Sequence, residues 1–333
     1  MTSDVKPNLS MNHFSKALTG LLLSAFLLVS VGAEPPETVQ QWLEEMASAV
    51  RMLNYEGEMI YQHGRQLEVL SLTHTVKDGF ERERITSLNG APREIVRDDN
   101  SVVCILSGKK AVSVDQRGGG QGFPSLLPLA VEELTDSYEM SFVGEDRIAD
   151  QRVRVIDIRP RDRYRYGHRI YIQTESRLPL KLDMLDRKGE PVAQIMFSRL
   201  KVDHTIPYEA SGPSLRTKGF SLVKHEEQNK KRLPRPFSWS FMELPRGFQI
   251  NAHQVRKEQE NGKLQEHVVL TDGLATVSVY IEKAHKDNDL EGSSRMGAVS
   301  AYGRLVGDVQ VTAVGEVPAD TVQYIAEAVE FRQ

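Results

Sequence analysis

From Tyr55 onward the chain alternates apolar and polar positions in short runs broken by turn residues, the pattern of half-buried strands. Period two predicts strands at 55–62, 66–76, 80–88, 91–97, 101–106 and 110–114, then at 138–144 and 147–158. Three more follow from His168, in HRIYIQ, LPLKLDMLD and PVAQIMFSRLKV. His63-Gly64-Arg65, Lys77-Asp78-Gly79, Asn89-Gly90, Asp98-Asp99-Asn100 and Ser107-Gly108 separate the early strands. Asn89-Gly90 is the strongest of these signals, because both residues tolerate the positive φ of a type I′ hairpin. Connections this short permit only antiparallel neighbours. About eleven strands in roughly 170 residues must curl, which predicts a strongly curved, barrel-like sheet.

Period 3.6 marks the two ends. After Pro35-Pro36, Thr38 and Gln41 form a capping box, and Val39, Leu43, Met46, Ala47 and Val50 share one helical face with Trp42 beside it. A short helix is expected after Leu129, and another near Pro318, with Val322, Ile325, Ala326 and Val329 as its apolar stripe. Residues 203–219 turn to Pro, Ser and Gly without period and read as a linker. Strands follow at 237–242, 248–257, 263–270, 274–283 and 304–314, with turns at Asn261-Gly262 and Thr271-Asp272-Gly273. The fold class is α+β, mainly antiparallel β. A large barrel-like domain spans 34–203, a linker 204–219, and a smaller α+β domain 220–333.

Residues 1–33 stand apart. Lys6 and Lys16 precede the apolar run Leu18–Val31, which ends in Val31-Gly32-Ala33. This is the plan of a secretory signal peptide cleaved after Ala33. A retained anchor is the alternative, but about fourteen residues fall short of the ~20 a spanning helix needs. No cysteine follows the cleavage site, so lipoprotein processing is not expected, and the mature chain is expected to be soluble and exported. Removing Asp4, Lys6 and Lys16 shifts the net charge from −4 to −5, which argues against a general nucleic-acid binder. Cys104 is the single cysteine, so no internal disulfide is available.

No catalytic signature is present: the chain lacks G-x-S-x-G, H-E-x-x-H, C-x-x-C and a phosphate loop. Eight histidines remain after Ala33, and none pairs with another at ligand spacing on a helix. No cofactor, metal site or enzymatic activity is expected.

Two features invite a ligand. Arg159, Arg161, Arg163 and Arg165 occupy alternate positions, so an extended backbone would aim four guanidinium groups the same way. Such a rim suits phosphate or carboxylate, on a lipid or an acidic peptide. Pro160 and Gly167 leave a second reading open, an irregular loop with solvated arginines. Behind the rim lie Leu180, Leu182, Met184, Ile195 and Phe197, candidates for an apolar cavity. In RGGGQGFPSLLPLAVEELTDS, Phe123, Leu126, Leu127 and Leu129 form an apolar knot after flexible glycines. It reads either as a flap over that cavity or as a long connection. Phe237, Trp239 and Phe241 alternate along one strand, as core residues do.

In combination, YEGEMIY, RPRDRYRYGHRIYIQTESRLPLKLDMLD, LPRGFQ, TDGLATVSVYIE and VGEVPADTVQYIAEAVE resemble the RseB/MucB regulators over essentially the whole mature chain. The resemblance implies a LolA/LolB-like, unclosed antiparallel barrel with helices as the larger domain. It implies that the smaller domain binds the periplasmic part of a membrane-anchored anti-sigma factor, which makes Phe237, Trp239 and Phe241 partner-binding candidates. Binding would shield that factor from regulated proteolysis, and lipid or lipopolysaccharide-type signals would release it. The chain would then be a periplasmic negative regulator of a sigma-E type envelope-stress sigma factor, with homo-oligomerisation open. Two other readings stand beside it: a lipoprotein or lipid carrier without a regulatory role, and a hydrolase whose triad assembles only in space.

Overall fold

Half of the expected capping box forms: the Gln41 backbone N–H donates to Thr38 Oγ1 at 3.1 Å, while the Gln41 side chain donates forward to Glu45 at 2.9 Å, and α1 runs Val39–Met52. The computed structural model describes residues 37–115, 134–225, 237–257, 264–284 and 290–331. After α1 come β1 (Tyr55–His63), β2 (Gln66–Lys77), β3 (Phe80–Ser87), β4 (Arg93–Asp98), β5 (Val102–Leu106) and β6 (Ala111–Asp115). Then follow β7 (Tyr138–Ile148), β8 (Gln151–Pro160), β9 (Gly167–Gln173), β10 (Pro179–Leu185), β11 (Pro191–Val202) and β12 (Ser221–His225). These make one 12-stranded sheet in the order β12-β6-β5-β4-β3-β2-β1-β11-β10-β9-β8-β7. Its neighbours are antiparallel except β12 on β6, and its end strands β7 and β12 do not pair, so the barrel is unclosed.

The amphipathic face of α1 covers this sheet. Trp42, Leu43 and Met46 bury themselves among Tyr138, Ile156, Ile158, Ile170, Ile172 and Leu182. One turn on, Ala49 and Val50 join Met59, Leu72, Leu180 and Phe197. Arg177 fastens the helix. Held at a left-handed φ of 63°, it donates to Glu45 at 2.6 Å and Glu37 at 2.8 Å, and lies 3.8 Å over the Trp42 ring.

Three local expectations change. Asn89-Gly90 does not close a two-residue hairpin: β3 and β4 are joined by residues 88–92, and only Gly90 takes a positive φ. The Asn89 amide instead works across to β2, accepting from Val69 N–H at 2.8 Å and donating to Leu67 O at 3.0 Å. The break expected at 145–146 lies inside β7, which carries a bulge at Gly144, and the tight turn comes later at Ala149-Asp150, both in the left-handed region. The strand expected at 304–314 is a hairpin, β18 (Val299–Val306) and β19 (Val309–Gly315), because Gly307 at φ 65° reverses the chain.

Residues 204–219, expected as a free linker, are instead tied to the large sheet. Buried Glu94 accepts from the backbone N–H of Ser214 at 2.8 Å and from its hydroxyl, Arg84 donates to Gly212 O at 3.0 Å, and Thr75 and Ser211 hydroxyls meet at 2.6 Å. The next residues, 221–225, extend that sheet as β12 rather than opening the smaller unit.

The second module has a six-stranded antiparallel sheet in the order β14 (Gln249–Lys257), β15 (Leu264–Thr271), β16 (Thr276–Lys283), β19, β18, β17 (Gly292–Met296). Short β13 (Trp239–Phe241) pairs with β20 (Val329–Phe331). The apolar stripe of α2 (Ala319–Glu327) packs Val322, Ile325 and Ala326 on Val277, Val279, Val311 and Ala313. Among the described residues no helix is long and apolar enough to cross a membrane.

Candidate functional site

The arginine stripe is divided by the fold. Arg159 ends β8, but residues 161–166 bend away from the ladder before β9 begins, so the four side chains lose their common direction. Arg159, two-thirds exposed, lies 2.8 Å from Asp157, which Arg169 also grips at 2.6 Å. Asp157 is buried, which disfavours its charge, yet the two guanidinium groups hold its pKa below the usual carboxylate range. Arg161 donates to Thr135 O at 3.3 Å, and Arg163 to the Tyr164 hydroxyl at 3.3 Å; both are exposed.

Arg165 departs most from expectation. Its side chain is wholly buried, and so is that of its partner Asp272 from the β15–β16 turn of the second module. Arg165 Nε donates to Asp272, Nη1 to Asp162 and Nη2 to the carbonyl of Arg246. Its guanidinium lies 4.9 Å from the Phe248 ring centroid. Asp272 is equally saturated: Oδ2 also accepts from the Tyr138 hydroxyl at 2.9 Å, while Oδ1 accepts from the N–H groups of Leu274 and Ala275. Burial and the adjacent Asp272 carboxylate raise the Tyr138 pKa; burial opposes the Arg165 charge, but Asp272 more than compensates. A four-residue polar cluster thus welds 138, 162 and 165 to 272.

The rest of this seam is small. Thr321 on α2 donates to Tyr164 O at 2.8 Å, and the Tyr164 and Tyr324 rings meet at 5.2 Å. Leu274 enters the core beneath Trp42 and Leu134, and Ala298 packs with Tyr166 and Met184. Gly247, at φ +84°, lets the 245–248 turn approach: a β-carbon there would lie 2.6 Å from Ser137 Oγ. His168 is buried at this seam with Nδ1 unpartnered, and burial pushes its pKa down to about 4 against the opposing influence of Asp272. A groove of about 250 Å³ opens alongside, lined by Gln62, Gly64, Val192, Gln194, Arg295 and Gly297.

The apolar candidates Leu180, Leu182, Met184 and Phe197 are buried core residues, with Ile195 packed half-buried against them. Phe123, Leu126, Leu127 and Leu129 lie outside the described residues, as does the leader through Ala33. Trp239 is buried in the second core, its indole N–H bonded to Glu266 at 3.0 Å, while Phe237 and Phe241 pack half-buried at its margin. Among the described residues no group of three or more His, Cys, Asp or Glu is placed to hold a metal. Asp272, Tyr138, Gly247 and Thr321 were not singled out by sequence. Asp272 was visible only as the centre of a turn signal.

Two sequence profiles match this chain, the MucB/RseB N-terminal domain over residues 38–215 and the MucB/RseB C-terminal domain over 233–330. The chain belongs to the MucB/RseB family. Among MucB/RseB relatives, the sigma-E factor regulatory protein RseB of Haemophilus influenzae is 26% identical over 316 residues, covering 94% of this chain and 98% of the relative. The sigma factor AlgU regulatory protein MucB of Pseudomonas aeruginosa is 28% identical over 316 residues, covering 92% and 96%. Crystallised MucB in complex with MucA(peri) superposes with a TM-score of 0.69 at 25% identity, covering 89% of this chain and 100% of that one. A further crystal structure of MucB superposes with 0.62, at 25% identity and 88% and 98% coverage.

Proposed function

We propose that this MucB/RseB member is exported to the periplasm, its leader cleaved after Ala33, and there binds the periplasmic part of a membrane-anchored anti-sigma factor. Binding shields that factor from regulated proteolysis and so restrains an envelope-stress sigma factor; lipid or lipopolysaccharide-type amphiphiles release it. One observation carries the reading: the match to named sigma-factor regulators runs through both modules, at 94% of this chain and 98% of the relative. A lipid carrier would need only the large curved sheet. The MucB–MucA(peri) complex, with its TM-score of 0.69 to this chain, supports the choice of partner.

Within this reading, exposed Arg159, Arg161 and Arg163 are the arginines of the stripe available to an anionic headgroup, and Phe237 and Phe241 are the aromatic candidates for the partner. The test is protection. The purified mature chain is expected to shield the anti-sigma periplasmic segment from site-specific protease, and lipopolysaccharide or a fatty acid to remove that shielding. A chain that binds lipid or lipoprotein but not the segment would return the protein to the carrier reading.

A further inference from the structure

We infer that the 161–166 loop is a two-position latch between the modules, with Arg165 held by Asp272 in the closed position. The argument starts from where the charges sit. Both side chains are fully buried, and they come from different modules. Closed, the guanidinium has a partner on each of its three nitrogens, and the carboxylate accepts four hydrogen bonds. Fully open, water can solvate both ions. Between those limits lies an arrangement that strips water from two ions without pairing them, and it is costlier than either end. Separation therefore proceeds between two minima rather than by gradual loosening.

The remainder of the seam does not override this. Its apolar part is Leu274 and Ala298 inserted singly with the Tyr164–Tyr324 ring contact, its direct polar part outside the cluster includes the Thr321–Tyr164 bond and the exposed Arg246–Asp136 pair at 3.9 Å, and a groove opens beside it. Two of its groups gain by hydration: His168, whose buried Nδ1 lacks a partner, and Glu316, whose pKa burial raises against the opposing influence of His63.

The consequence for regulation rests on the proposed function: the two positions differ in affinity for the anti-sigma segment, so a ligand that favours one position changes the other's occupancy by linkage. The geometry offers a lock. A β-carbon placed on Gly297 would lie 3.6 Å from the β-carbon of His63 across the seam, within disulfide range. The experiment uses the mature chain with Cys104→Ser throughout. In one set, spin labels at Arg147→Cys and Asp308→Cys, both exposed positions, report the distance between modules. Asp272→Asn, Arg165→Met and the wedge Gly247→Ala are each expected to raise a second distance population about tenfold or more, since one partner loses its counter-charge or its space. In the other set, His63→Cys/Gly297→Cys is measured oxidised and reduced, and affinity for the segment is expected to differ about tenfold between the forms.

An unchanged distance distribution in all folded variants would make the seam a permanent weld and overturn the latch. Equal affinity in oxidised and reduced forms would overturn its regulatory role. If the distances shift while no form binds the segment, the latch stands and the anti-sigma reading falls. Gly247→Ala and the lock keep both charges, so the test survives even if a charge variant does not fold.

Discussion

Two arginine–aspartate clusters lie eight residues apart on one stretch of chain, and they obey different physics. Asp157 is buried, but its partners Arg159 and Arg169 are two-thirds and one-third exposed, and all three belong to β8 and β9 of one sheet. Either arginine can leave for water without stranding the carboxylate, because the other remains. Between Arg165 and Asp272 the reserve is one-sided: Arg165 also holds Asp162 in its own loop, whereas the other partners of Asp272 in the cluster are neutral donors; both are desolvated, and they belong to different modules. The first cluster decorates a surface that is already built. The second makes the relative placement of two surfaces conditional on one bond, which is the better-attested use of a buried ion pair.

The contrast breaks most visibly at Asp272. Replacing it with Ala leaves the buried Arg165 guanidinium with part-exposed Asp162 as its remaining carboxylate, so a loss of about 3 kcal/mol in chemical denaturation is expected, and Arg165→Met/Asp272→Leu should recover much of it. A loss no larger than that of a surface substitution would mean that water already reaches the pair. The next effect is in pH. His168 has an ordinary pKa of 6.5 when unfolded and about 4 when folded, so the unfolded chain takes the proton first and stability falls as pH drops through that window. Wild type is therefore expected to lose about 2 kcal/mol more than His168→Leu between pH 7.5 and pH 5, read from paired urea midpoints. The smallest effect belongs to the open cluster: Arg159→Ala should change stability by no more than about 1 kcal/mol. A larger cost would erase the distinction between the clusters.

Much of the large sheet was legible because period two is a local property. Strand by strand, alternation placed β1–β6 and β9–β11 to within a few residues, and the strand count forced curvature before any pairing was known. Local rules failed where a residue's partner is remote. Asn89 carries a hairpin signal, but its amide is spent on β2, about twenty residues upstream. The pattern breaks after Gly144, yet its φ of +146° serves a bulge in a continuing strand. The arginine stripe is the sharpest case. Alternation told truthfully that RPRDRYRYG is special, and even that Pro160 and Gly167 could break its strand. The destination of Arg165 depends on Asp272, 107 residues away. No spacing rule connects a loop arginine to a turn aspartate at that distance.

The five-residue pairing of β12 with β6 bears on how this protein can be taken apart. By composition the divide falls at 203–219, yet that stretch is stitched to the large sheet by Glu94, Arg84 and Thr75, and β12 then caps the exposed edge of β6. A large module cut at residue 203 would carry a bare strand edge, the kind that recruits strands from neighbouring copies. Cut after His225, the same module keeps its edge covered. Modularity in this chain is a property of edges and seams, and the border a biochemist should draw lies some twenty residues beyond the one composition suggests.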